Sequence, residues 1–153
     1  MIQERKKRFI SAYKNEGGFT LIEVMISISI LTIGLLAVAS MQMSAIRGNN
    51  MSDNTTCALA LAEDKMEELL GLSYSHADLA NDPAAGNDSD LDSIVNVDHE
   101  EAGIGENGLS PGHFRRIWNI ADNTPMSNNK TITVIVTWNE DKHKVSLSSI
   151  KRQ

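Results

Sequence analysis

Residues 17–42 read GGFTLIEVMISISILTIGLLAVASMQ, and this stretch decides what kind of chain the rest must be. It opens on Gly17 and Gly18, turns apolar at Phe19 and holds a single carboxylate, Glu23. From residue 24 to residue 46 there is no charged side chain. A helix of that length extends about 34 Å, enough to cross a hydrocarbon core of about 30 Å. Ser27, Ser29 and Thr32 dilute the run, but hydroxyls on a helix can bond back to carbonyls one turn earlier. Residues 19–46 are therefore expected to form a transmembrane half-helix.

The charge distribution gives this segment a direction. Residues 1–18 carry Arg5, Lys6, Lys7, Arg8 and Lys14 against Glu4 and Glu16, a formal charge of +3, which leaves −9 for the remaining 135 residues. A basic flank stays in the cytoplasm, so the body should face outward from a bacterial inner membrane. A small residue at Gly18 lets a protease approach the backbone. Cutting before Phe19 would discard the basic leader, residues 1–18, and keep the anchor. A secretory signal does the opposite, because its apolar region is lost. A carboxylate entering an apolar helix costs up to roughly 2.5–3.5 kcal/mol at the helix centre, so Glu23 should find a partner. Cleavage would create an amine at Phe19. In a bundle of parallel helices, that amine on one subunit could pair with Glu23 on another and set their register.

Beyond Arg47 the pattern becomes amphipathic. Met51, Thr55, Ala58, Leu59, Ala62, Met66, Leu69 and Leu70 recur at steps of three and four, predicting a helix over residues 47–71. Gly48-Asn49-Asn50 is a place for a bend, and Gly71 a stop. Cys57 falls on the stripe and reads as a buried small hydrophobe. Residues 73–112 are rich in Gly, Pro, Asn and Asp and predict an acidic loop, at most with a short element around residues 93–97. Residues 114–150 predict three antiparallel strands: 114–120, 131–138 with Ile132, Val134, Val136 and Trp138 on one face, and 144–150 with Val145 and Leu147 together. The turn between the last two is residues 139–143. The fold class is α+β, with the Met66/Leu69 stripe packed on the sheet, Trp118 and Trp138 filling the seam, and the acidic loop at the edge and exposed tip.

Several kinds of chemistry find no support. An acidic body is a poor partner for nucleic acid. One cysteine forms no internal disulfide. His76, His99, His113 and His143 lack metal-ligand spacing, and no serine stands in a Gly-x-Ser-x-Gly setting. Asp88, Asp90 and Asp92 start like a calcium loop, but Ser93 and His99 occupy the positions needing Gly and Glu. No enzyme activity, cofactor or metal is expected. A soluble secreted domain, cut after Ala37-Val38-Ala39, is a competing reading that leaves Glu23 unexplained.

Residues 17–42 resemble the type III signal of type IV prepilins and type II secretion pseudopilins. The resemblance implies cleavage between Gly18 and Phe19 by a membrane aspartyl prepilin peptidase, N-methylation of Phe19 and an assembly role for Glu23. Thr32-Ile33-Gly34-Leu35-Leu36 and ALALAEDKMEEL, residues 58–69, with Leu70 beyond, look like the PilV group of minor pilins. The resemblance implies a type IV pilin-like fold and a low-abundance subunit that helps to initiate a pilus and reaches the cell surface. Implied partners are the peptidase, major and minor pilins, the platform protein of the assembly machine and membrane lipid. Major pilins often carry a proline within the membrane helix and a C-terminal disulfide loop, and this chain has neither. The alternatives are a minor pseudopilin of a type II secretion system and a membrane-tethered binding module that never polymerises.

Overall fold

The computed structural model describes residues 17–153. Most of the leader expected at residues 1–18 therefore lies outside the described residues. The chain divides into two units, Met1–Ala45 and Ile46–Gln153. Helix α1 is assigned over Leu21–Gly71. The assignment runs unbroken through the weak point Gly48-Asn49-Asn50. The penalty there, about 1 kcal/mol for the glycine, is too small to interrupt a helix of this length.

In the second unit, α1 buries Ala58, Leu61, Ala62, Lys65, Met66 and Leu69. Their spacing of three and four places them on one stripe. The expected stripe was shifted: Leu59, Leu70 and Met51 remain 39–40% exposed, while Leu61 and Lys65 lie inside. The lysine hid the true phase, because a charge reads as a solvent-facing position. Its stem packs instead beneath Trp118, with Nζ 4.3 Å from the ring centroid. Its ammonium meets Glu68 at 3.1 Å and Glu101 at 3.3 Å. Cys57 is only half-buried, against the rim of the core rather than within it.

The stripe packs on a four-stranded antiparallel meander in the order β1-β2-β3-β4. The strands are β1 His99–Ile104, β2 Phe114–Asp122, β3 Asn129–Trp138 and β4 His143–Arg152. Three of them follow the expected alternation: Ile132, Val134, Val136 and Trp138 all face the helix-side core, joined by Phe114, Trp118 and Ile120. Both tryptophans fill this core, as expected, and each is 4% exposed. Val145 and Leu147 pack at its margin.

Strand β1 corrects the reading of residues 73–112 as loop throughout, and residues 93–97 form no strand. Its sequence, His-Glu-Glu-Ala-Gly-Ile, has little strand character of its own. It is held by charge across the register: Glu101 opposes and pairs with Arg116, and Glu100 meets Arg115 at 2.9 Å. Gly103, at φ +70°, takes up the register shift near the strand end. Residues 77–79 add a single 3-10 turn. Its Leu79 is fully buried, and its carbonyls accept from Trp118 Nε1 and Lys130 Nζ.

The acidic loop does not sit only at an edge and tip. It covers the sheet face opposite the helix. Asn119, fully buried on β2, donates to the carbonyls of Leu91 and Ser93 at 3.0 and 2.9 Å. Arg115 reaches the Ile94 carbonyl, and Lys144 on β4 pairs with Asp92. Asp98 accepts from the amides of Asp82 and Ile120. Ile117, Ile135 and Thr137 are consequently buried on a face that simple alternation would leave wet.

At the far end of α1, Lys151 satisfies carbonyls that a helix terminus leaves without partners. Its Nζ donates to Leu69 O at 3.3 Å and Leu70 O at 2.5 Å. Lys151→Met should therefore cost about 1–3 kcal/mol, the scale of leaving buried acceptors unpaired. The check is a lowered unfolding midpoint of the detergent-solubilised chain, with amide exchange accelerating first in the last turn of α1. An unchanged midpoint would remove this role.

The seam also carries a pH signature. Burial alone would push the Glu101 carboxyl up, but bonding and attraction to Arg116 and Lys65 outweigh it and hold the group below its ordinary value of 4.5. Glu100 is likewise held down, chiefly by its bond to Arg115. For a depressed carboxyl, the stabilisation is complete above the unfolded value and is lost as pH falls through the lower folded value. Stability should thus decline below about pH 4.5, and Glu101→Gln should flatten that acid limb while lowering stability at neutral pH. Parallel acid limbs in both proteins would refute the assignment.

Candidate maturation and assembly segment

Gly17, Gly18, Phe19 and Thr20 precede α1 without regular structure, so the Gly18–Phe19 peptide bond lies outside the helix. A protease needs a backbone strand it can line up with its own groups, and a bond inside a hydrogen-bonded helix would first have to be unwound. A Cβ built on Gly17 or Gly18 meets nothing within 4 Å. Among the described residues, no packing calls for glycine at either position.

The helix start has its own chemistry, which sequence reading missed. Thr20 Oγ1 accepts from the Glu23 amide at 3.3 Å, and Thr20 O accepts from the Val24 amide at 3.2 Å. Thr20 is thus the N-cap and Glu23 the third helical residue. Thr-x-x-Glu is the capping-box spacing, and it was legible in TLIE. The carboxylate of Glu23 lies in the first turn, where the helix dipole favours negative charge. That lowers the cost of a carboxylate at the head of an apolar segment, a term absent from the reading of Glu23 as a purely unfavourable group. Among the described residues Glu23 has no ion-pair partner, and its side chain is exposed.

The residues that follow are uncovered. Every residue from 17 to 53 is exposed, including Phe19 at 83% and Leu21 at 80%. Among the described residues, one helix is long and apolar enough to cross a membrane, and none of its apolar window is buried by the chain. Its hydroxyls are satisfied internally, as expected: Ser27, Ser29 and Thr32 donate to the carbonyls of Glu23, Met25 and Ile28 at 2.7–2.8 Å. The segment presents apolar side chains outward, with the hydroxyls of Ser27, Ser29, Thr32 and Ser40 turned back onto the helix's own carbonyls.

The remaining candidates are not brought together. Asp88 accepts from Asn81 and Asp92 pairs with Lys144, so two of the three aspartates in the calcium-like run are engaged elsewhere. His76 caps the 3-10 turn, and His99 stacks on Trp118. His113 and His143 line one cleft, without a carboxylate or thiol between them. Among the described residues no cluster of three or more His, Cys, Asp or Glu could hold a metal ion.

No curated protein and no solved structure matches the chain. The N-terminal segment does find a family: residues 13–39 match the model described as the prokaryotic N-terminal methylation motif, a span that holds Gly18, Phe19 and Glu23, and this indicates a type IV prepilin-like protein.

Proposed function

We propose that the chain is a minor type IV pilin of the PilV kind, matured by a prepilin peptidase and built into a filament through its N-terminal helix. The carrying observation is the conjunction, within residues 17–46, of a scissile bond outside the helix, a first-turn carboxylate and an apolar surface that the chain itself does not cover. The peptidase cuts between Gly18 and Phe19, and Phe19 is then N-methylated. Before assembly the apolar surface is covered by lipid. In the filament it is covered by the equivalent helices of major and minor pilins, which the platform protein brings together. The match to the methylation motif and the apolar helix fit anchoring in the inner membrane.

Glu23 sets the register in this scheme. Its carboxylate is exposed, sits four residues beyond the new amine and has no partner among the described residues. A neighbouring subunit's Phe19 amine supplies one. In this scheme the C-terminal unit is the part the filament presents, and its role is structural.

Two measurements test this. The intact mass and N-terminal peptide of the chain from membranes and sheared filaments should begin at N-methylated Phe19. A chain beginning at Ser40 would mean a released domain and would overturn the proposal. Glu23→Ala should leave cleavage intact but reduce recovery in sheared filaments by roughly tenfold or more, the scale of one charged hydrogen bond. Recovery at the wild-type level would sink the register role.

A further inference from the structure

Residues 19–153 carry a formal charge of −9, yet a cleft in the C-terminal unit that joins α1 to the sheet is lined without a carboxylate. This cleft, of about 440 Å³, is lined by the polar side chains of Arg47, Asn54, His113, Asn139 and His143 together with Met51 and Trp138. Two segments far apart in sequence build it. One is α1, through Arg47 and Asn54. The other is the start of β2 with the β3–β4 turn. The side chains are set by neighbours: His113 Nε2 lies 3.3 Å from Asn54 Oδ1, and its ring rests on Phe114. His143 stacks on Trp138 with ring centroids 5.5 Å apart. Asn139 is held at φ +56° in a turn where Glu140 and Asp141 also take positive φ. The two acids of that turn are committed elsewhere, Asp141 to Arg115 and Glu140 to Lys142.

Arg47 is exposed and has no ion-pair partner among the described residues. A guanidinium beside imidazole and carboxamide donors is the chemistry of phosphate recognition. Its place in the sequence chooses the source of the phosphate. Arg47 is the first residue after the uncharged run of residues 24–46. In a chain anchored through that run, Arg47 stands at the lipid–water boundary, and Asn54 lies about 10 Å further along the helix. Basic and aromatic side chains favour that level.

We propose that this cleft binds the headgroup phosphate of a bilayer phospholipid, held by Arg47 with Asn54, His113 and His143 as further donors. The inference rests on the membrane-anchored reading above. The cleft ties the acidic C-terminal unit to the membrane surface before assembly, and extraction into a filament requires the lipid to be released. An acidic body and an anionic surface repel each other, so a dedicated cationic contact offsets that repulsion.

The test uses the full chain in nanodiscs of phosphatidylglycerol, of phosphatidylethanolamine and of a phosphate-free glycolipid. After transfer to mild detergent, native mass spectrometry counts the lipids retained, and flotation with vesicles of the same lipids reports anchoring. Both phospholipids should be retained and the glycolipid lost. Arg47→Gln should lower phospholipid retention by roughly tenfold, the scale of one charge-assisted contact, with partial rescue in Arg47→Lys. Arg152→Gln, which removes the same charge on β4, should leave retention unchanged. Equal retention by Arg47→Gln in a chain that still floats would overturn the cleft while leaving the anchor standing. A chain that fails to float would overturn the anchor, and the cleft's role with it. Displacement of all retained lipid by millimolar inorganic phosphate would identify a soluble phosphate site instead and overturn the headgroup assignment.

Discussion

The folded unit depends on the burial of one helix stripe, Ala58 to Leu69, against β2 and β3. Leu61 and Leu69 are essentially without exposure, and such side chains are worth about 1.5–3 kcal/mol each on burial. Surface ion pairs contribute about 0–1 kcal/mol. Burial therefore dominates, and the charges conform to it. Lys65 is carried into the seam by its place on the stripe, and it must then be matched. Glu101 supplies the match, which requires β1 to lie beside β2, and Arg116 binds the same carboxylate while donating to the Leu61 carbonyl. One lysine in the apolar stripe thus helps to place a strand 36 residues later.

The first part of α1 obeys the opposite constraint. Its backbone bonds within the helix and Ser27, Ser29 and Thr32 bond back one turn, so within the uncharged run these hydroxyls need neither water nor a neighbour, while Glu23 at its head is left without a partner among the described residues. Its apolar side chains are left for something else to cover. The same helix type therefore serves two solvents. Where the outward residues are Val, Ile and Leu, the cover comes from outside the chain. Where apolar residues recur every three or four positions between acids, the chain supplies the cover itself.

The acidic residues of the 73–112 segment follow from this economy. Asp98 staples the loop to the edge of β2, Asp92 holds Lys144, and Asp78 contributes a carbonyl to Trp118. The segment works as a second layer over the sheet, with Asn119 as its buried anchor. A sheet covered on both faces tolerates Ile117 and Ile135 pointing away from the helix, which a one-sided sheet would not.

The apolar run at the head of α1, the helical stripe in outline and three of the four strands were legible in the sequence. Each of these is a local pattern: an uncharged run of fixed length, a period of three to four, or a period of two. The N-cap at Thr20, with the Thr-x-x-Glu spacing to Glu23, was equally local and could have been read. Only the tertiary structure decided the phase of the stripe at Leu61 and Lys65, the existence of β1, the loop's place over the outer face and the cleft around Arg47. These rest on contacts between residues far apart in the chain, such as Lys65 with Glu101 and Asn119 with the Leu91 carbonyl, and on the cleft that brings Arg47 and His143 together. A charged residue reads as a solvent position until its partner is known, and the partner's identity is set by packing rather than by any pattern near it in the chain.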